Sequence, residues 1–398
     1  MRSLLIIQIS SYIAPLMILP YLSRTLGLEN FGVAYFGISF VSLSVVIIDY
    51  GFELYAPYII SKRRKDTYFI REISGIIFAA KLFLFLIVSL IVLSYSIFGN
   101  SYQTNFVLLF LFPIFLLTLQ PNWLFQSLEN VSEISGYFIL SRVFYVIFIL
   151  LLVHNPDDYY FVIISLGLSY SINTYLSLRK MIKLGYKPIM PDIASVFDSI
   201  KASSGYFASR ASSSIYGAGG TVFLGLVSNN IQVGSFASAE QLFRAMQGLF
   251  VPINQALYPY MSRKKDDSIF ILIFTSTIIV SILVLLLGSF FARDIIQIVF
   301  GYGYEQTYWP LIGFFVVLII NVPGTLIGYP YLGAKGYSAF VNKTVIIAAV
   351  FQLALLVILY IIEEKSAFNV VITIIIAELV VAIMRGYKLL VVKLNHKC

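Results

Sequence analysis

With 398 residues, 59% of them hydrophobic and only 12% charged, and a mean hydropathy of +0.90, the chain is far from the balance of a soluble domain and reads as an all-α integral membrane protein. A net charge of +8 would suggest nucleic acid in a soluble chain. Here the basic residues gather in short loops between apolar runs, so membrane orientation explains them and no nucleic-acid partner is expected. The single cysteine, Cys398, excludes an intrachain disulfide, and His154 and His396 stand too far apart for a Cys/His metal site.

The first apolar run, Leu4 to Leu22, is longer than a signal-peptide core and lacks a small-residue cleavage pattern, so it is expected to stay as a first span. Runs at 33–58, 73–98, 106–125, 137–153 and 160–178 follow, each near the ~20 residues that cross a bilayer. A polar connector, 179–201, separates them from six more, at 202–228, 233–260, 269–291, 310–330, 339–362 and 368–391. The reading is twelve transmembrane helices in two six-helix lobes, 1–178 and 202–398. Pro188 and Pro191 break the connector into a basic stretch continuing span six and a short amphipathic piece, Ile193 to Ile200, suited to the membrane interface.

One alternate set of loops and the tail hold nineteen basic residues, including Lys62 to Lys65, the connector lysines, Lys335 and Arg385; the other set holds three, Arg24, Arg293 and Lys365. That asymmetry puts both termini and the connector in the cytoplasm. A repeat supports the two halves. Pro57-Tyr58-Ile59-Ile60-Ser61-Lys62 recurs as Pro259-Tyr260-Met261-Ser262-Arg263, and Ile97 to Thr104 resembles Val299 to Thr307. Six spans separate the copies, so the repeat is parallel, with a pseudo-two-fold axis along the membrane normal.

Ionisable groups within spans face a cavity or a partner, because hydrocarbon does not solvate them. Arg244, near mid-span, is the strongest candidate cavity cation; Lys81 and Arg210 lie deeper than Arg142 and Lys343, which are near a boundary, and for all four snorkelling competes with a cavity role. Glu240 and Arg244 are four apart on one helical face, either a structural pair or a gating or substrate-binding one. Asp49 and Glu53 are also four apart and would repel if both were buried, so one is expected to be protonated or interfacial. Glu378, midway along span twelve, is the clearest candidate for a proton or cation relay, or else a structural partner. Prolines 15, 20, 113, 252 and 323 predict bent helices. The Ser- and Gly-rich span seven either packs tightly or lines a hydrated cavity.

Three stretches carry a resemblance: Ser23-Arg24-Thr25-Leu26-Gly27 followed by Asn30-Phe31-Gly32; Asp49-Tyr50-Gly51-Phe52 leading to the Lys/Arg run; and Pro121-Asn122-Trp123-Leu124-Phe125-Gln126-Ser127-Leu128-Glu129. With them the chain resembles the O-antigen flippases, polysaccharide-biosynthesis transporters of the multidrug/oligosaccharidyl-lipid/polysaccharide (MOP) exporter superfamily. Ser127 stands where the family usually has Gly. The resemblance implies a MATE-like fold, no enzymatic activity and no cofactor. It implies movement of a polyprenyl-diphosphate-linked (undecaprenyl-type) oligosaccharide repeat unit from the cytoplasmic to the periplasmic leaflet of the inner membrane, by alternating access of the two lobes. Arg24 matches an arginine that lies in the cavity of related lipid II flippases, or is an interfacial arginine at a span end. Arg24, Lys81, Arg210 and Arg244 are thus the candidate substrate-binding cations, with Glu240, Glu378 and Asp49 for ion coupling or gating. H+ or Na+ is the implied coupling ion, and a polysaccharide polymerase and chain-length regulator are implied partners beside membrane lipid. Two alternatives stay open. A multidrug or cation exporter of the same superfamily would have a largely acidic cavity, and an O-antigen polymerase would carry a large periplasmic loop, whereas the longest outer interval is Ala292 to Trp309.

Overall fold

The computed structural model describes residues 2–98, 104–264 and 266–395, and every regular element among them is helical. Positions 99–103, which hold much of the first copy of one repeat segment, as well as Lys265, His396 and Cys398, lie outside the described residues. Among the described residues, nine stretches are long and apolar enough to cross a membrane, judged by length and composition. Large apolar side chains stay exposed along several of them, such as Leu86 and Leu90, Leu283 and Leu286, and Val357 and Ile361. Faces of this kind are untenable in water and suit acyl chains.

The chain forms two compact units, one of Met1–Ile18 with Phe36–Ser214, the other of Leu19–Tyr35 with Ile215–Cys398. Helix α1 (Arg2–Asp49) spans two of the expected crossings and is broken at Gly27, whose φ of 70° is a left-handed value that glycine adopts without strain. It ends at Tyr50 and Gly51, φ 42° and 81°, before α2 (Phe52–Ile60). A side chain at Gly51 would meet Tyr206 and Phe207 as well. The expected continuous second span is therefore two helices with a turn between them.

After α3 (Thr67–Phe98), the expected fourth span is split into α4 (Thr104–Leu108), α5 (Leu111–Thr118) and α6 (Asn122–Ser127). Pro113 lies in the first turn of α5 and Pro121 directly precedes α6, positions where a missing N–H costs little. Helix α6 packs on α2, and α7 (Ser132–Leu152) on α8 (Tyr159–Lys183). Beyond α8 the connector is held to α3: Ile189 N–H donates to the Arg71 carbonyl, and Arg71 Nε donates to the Lys187 carbonyl.

The piece from Ile193 to Ile200 is not a separate interfacial helix; it is the start of α9 (Ile193–Val227). Asp192 caps that start by accepting from the Ser195 hydroxyl and N–H at 2.6 and 3.0 Å, and those two bonds hold its carboxyl below the usual range. Helices α9 and α10 (Asn230–Lys264) are 35 residues each, long enough to cross; their serines, glycines and charges keep them out of the nine apolar stretches.

In the second unit α10 is followed by α11 (Asp267–Phe290), α12 (Ala292–Phe300), α13 (Tyr308–Leu326), α14 (Ser338–Ile361) and α15 (Ala367–Asn395). Helix α13 packs against α10, α11 and α15. It carries Pro323 and runs into a π-helical segment, Ile327–Gly333, distorted at Gly328. Gly32 explains part of the Asn-Phe-Gly stretch: a Cβ there would collide with the Asn230 carbonyl and the backbone of Gly234, while one at Gly234 would strike the Leu28 carbonyl. Two backbones meet without side chains between them. Gly32→Val is expected to cost about 1–3 kcal/mol or more from overpacking, read as a lower thermal transition of the purified protein; an unchanged transition would show that the contact yields.

Candidate functional site

In the first unit two carboxylates of the spans are paired with cations across helices. Asp49, the last residue of α1, lies 2.8 Å from Lys81 Nζ of α3, and Lys81 is only 2% exposed. One turn beyond the Tyr50–Gly51 break, Glu53 of α2 meets Arg210 of α9 at 2.7 Å. The expected repulsion between Asp49 and Glu53 is thus relieved by two cations, because the break lets each carboxylate take its own partner.

The splitting of the fourth span also serves this cluster. At the end of α5 the Leu116 and Leu117 carbonyls accept the N–H groups of Leu119 and Gln120, three residues on, and each takes a second donor from another helix. Leu116 accepts from the Thr174 hydroxyl at 3.1 Å and Leu117 from Lys81 Nζ at 3.4 Å. Around these groups lies a cavity of about 160 Å³, lined by Asp49, Glu53, Lys81 and Arg142 together with amides and aromatics of α6 to α8. Arg142 takes no carboxylate partner among the described residues. The sequence leaves Arg142 between snorkelling and a cavity role, gives Asn122 and Trp123 no place beyond their motif and gives Gln120 none; the turn before α6 brings these three to the cavity.

The second unit holds the other candidates. Glu240 and Arg244 pair within α10 at 2.8 Å, as their spacing leads one to expect. Glu240 also accepts from the Thr221 hydroxyl at 2.8 Å, and Arg244 donates to the Gly217 carbonyl, so both are tied to α9. The small residues of span seven permit this approach: Gly220 faces the ring of Phe236, and a Cβ there would clash. Glu378 of α15 is buried and accepts from Asn321 Nδ2 at 2.6 Å; the same amide's oxygen accepts from Gln247 Nε2 at 2.8 Å. Since Gln247 lies three residues beyond Arg244 on α10, one helix face serves both carboxylates.

Arg24 donates to the Ile298 carbonyl at 2.6 Å, in the last turn of α12, where a helix end favours a cation. Arg385 was expected in the cytoplasmic tail but is 6% exposed, within α15. It donates to the Gly324 carbonyl at 2.9 Å and to the Thr344 hydroxyl at 3.0 Å. The candidates are therefore gathered as Asp49, Lys81 and Arg210 in one unit, and Arg24, Glu240, Arg244 and Glu378 in the other.

Residues 1–265 match a family profile described as "Polysaccharide biosynthesis protein". An Escherichia coli (strain K12) protein named "Putative O-antigen transporter" is 28% identical over 265 residues, 65% of this chain and 63% of that protein. The match thus spans less than two thirds of that relative's own length. Among solved structures, an inward-facing multidrug resistance MATE family transporter of the MOP superfamily aligns with a TM-score of 0.71 and 13% identity over 98% of both chains. The lipid II flippase MurJ, in an inward closed conformation, aligns with a TM-score of 0.70 and 15% identity over 97% of this chain and 86% of that one. The two likenesses show the fold, that of MOP superfamily transporters. With its apolar helices and its match over residues 1–265, this multi-pass membrane protein belongs to the polysaccharide biosynthesis protein family.

Proposed function

We propose that the protein is a flippase, not an enzyme, carrying polyprenyl-diphosphate-linked O-antigen repeat units from the cytoplasmic to the periplasmic leaflet of the inner membrane. Two six-helix lobes related by a parallel pseudo-two-fold axis, twelve spans in all, work by alternating access around the charged residues. The observation that carries the reading is the Asp49–Lys81 pair buried between apolar helices of a chain in this family. Charges kept in hydrocarbon at a cost of a few kcal/mol mark a substrate or ion pathway.

In this mechanism Arg24, Lys81, Arg210 and Arg244 are the cations that meet the anionic headgroup. Three of the four already hold a carboxylate, so an arriving anionic headgroup replaces a carboxylate at the cation, and the displaced carboxylate takes up the coupling H+ or Na+ in its place. Glu378, with Glu240 and Asp49, couples the cycle to H+ or Na+. Both termini and the connector are cytoplasmic, and the polymerase and chain-length regulator act on what the flippase delivers.

A deletion strain tests the reading. Loss of surface polysaccharide with accumulation of the lipid-linked repeat unit is the expected result. Intact surface polysaccharide, accompanied by altered polymer length or new drug sensitivity, would overturn it in favour of a polymerase or a multidrug exporter.

A further inference from the structure

The cavity of the first unit has more to offer a ligand than its ion pairs. Asp49 is neutralised by Lys81 and Glu53 by Arg210, which leaves the Arg142 guanidinium as the surplus charge on the wall. Beside it three polar atoms are buried without a hydrogen-bond partner: Gln120 Nε2, Asn122 Oδ1 and Trp123 Nε1. Gln120 is 3% exposed and Trp123 1%. Native interiors rarely leave such groups unmade, and each costs about 1–3 kcal/mol when it is. The two amides already bond each other, Asn122 Nδ2 donating to Gln120 Oε1 at 3.1 Å. Turning both amides over preserves that bond and still leaves one NH2 and one oxygen open, so the surplus is independent of their orientation.

The open set is therefore a cation, an amide NH2, an indole N–H and one amide oxygen. A bare phosphate has acceptors only and would find the amide oxygen an unfavourable neighbour. A neutral sugar would leave Arg142 without a counter-charge. A ring bearing both a carboxylate and hydroxyls satisfies every member: carboxylate on Arg142, hydroxyls donating to the amide oxygen and accepting from Gln120 and Trp123. The cavity, about 160 Å³, is several times the roughly 30 Å³ of one water, which gives room for a group of one ring's size. We infer that this pocket, built by α1, α2, α3 and α5 to α8, is a subsite for a single acidic sugar residue, read through Arg142, Gln120, Asn122 and Trp123. The natural source of that sugar, a lipid-linked repeat unit, rests on the flippase reading; the binding itself does not.

The chain has two tryptophans, Trp123 and Trp309, and Trp309 is exposed, so Trp309→Phe in the purified full-length protein makes Trp123 the sole indole reporter. Titration with sodium glucuronate is expected to change its emission saturably, with glucose and pyrophosphate each binding at least about tenfold more weakly, as loss of a charge-assisted bond predicts. In that background Arg142→Gln should weaken glucuronate by about tenfold or more and Arg142→Lys by less, with thermal transitions recorded beside each. Gln120→Ala, which keeps the charge, should weaken glucuronate as well and serves if the Arg142 variants do not fold. No saturable change, an equal response to glucose, a preference for pyrophosphate, or binding indifferent to both positions would each overturn the subsite. Because no transport enters the measurement, glucuronate binding in a protein whose deletion leaves surface polysaccharide intact would sink the flippase reading and leave the subsite standing. Loss of polysaccharide on deletion without any binding would do the reverse.

Discussion

Lys81→Met is expected to destabilise the protein by about 3–5 kcal/mol, because it leaves the buried Asp49 carboxylate without its cation. Lys81 is 2% exposed and its ammonium lies 2.8 Å from Asp49. The same change removes the donor to the Leu117 carbonyl at the broken end of α5. The loss would be read as a lower thermal transition of purified protein and a lower steady-state level in membranes. Combining Lys81→Met with Asp49→Asn removes both charges and should recover most of the stability, since a neutral pair avoids the uncompensated charge. An unchanged transition in the single variant would show that the pair is not what holds α1 to α3. Transport separates the remaining roles: a double variant that folds but fails to restore surface polysaccharide assigns the charges to the transport cycle, whereas full restoration makes them structural.

Arg385→Ala should be nearly as damaging, for a different reason. Its guanidinium reaches from α15 to the Gly324 carbonyl, just before the π-helical segment, and to the Thr344 hydroxyl on α14. It also lies against Gly328, where the backbone leaves helical geometry. Bonds from a charged donor contribute about 1.5–3 kcal/mol each, and the alanine would leave a void beside Gly328 besides. Arg385→Lys keeps the charge, yet one ammonium cannot reproduce the planar fork that meets both acceptors, so it should fall between wild type and alanine in thermal stability. A lysine variant as stable as wild type would mean that charge alone matters there; an alanine variant as stable would mean that the π-helical segment holds itself.

Much of the fold was legible because a bilayer imposes a simple rule on the chain, that backbone polar groups be satisfied within each crossing segment. The apolar runs, the break at Pro188 and Pro191, and the Glu240–Arg244 pair all follow from local spacing, three or four residues along one helix. Asp49 with Lys81, and Glu53 with Arg210, are separated by 32 and 157 positions. No local pattern links them, and the turn at Tyr50–Gly51, which makes two separate pairs of what reads as two repelling carboxylates, rests on backbone angles that composition does not announce.

Arg385 shows how a burial can be missed. A basic residue near the end of a long apolar run reads as a cytoplasmic anchor, and only the bend in α13 and its π-helical continuation create the buried acceptors that claim it. The aromatic and amide motif at Asn122 and Trp123 identified a family by its letters, yet its place on the wall of a cavity came from the splitting of one span into three short helices. By itself, then, the sequence determined membrane class, the apolar segments and the charges that had to find partners, because hydrophobicity and helical periodicity act over a few residues. The tertiary structure alone decided which charge meets which and which one is left over, because partner choice depends on where helices break and on side chains brought together from distant parts of the chain.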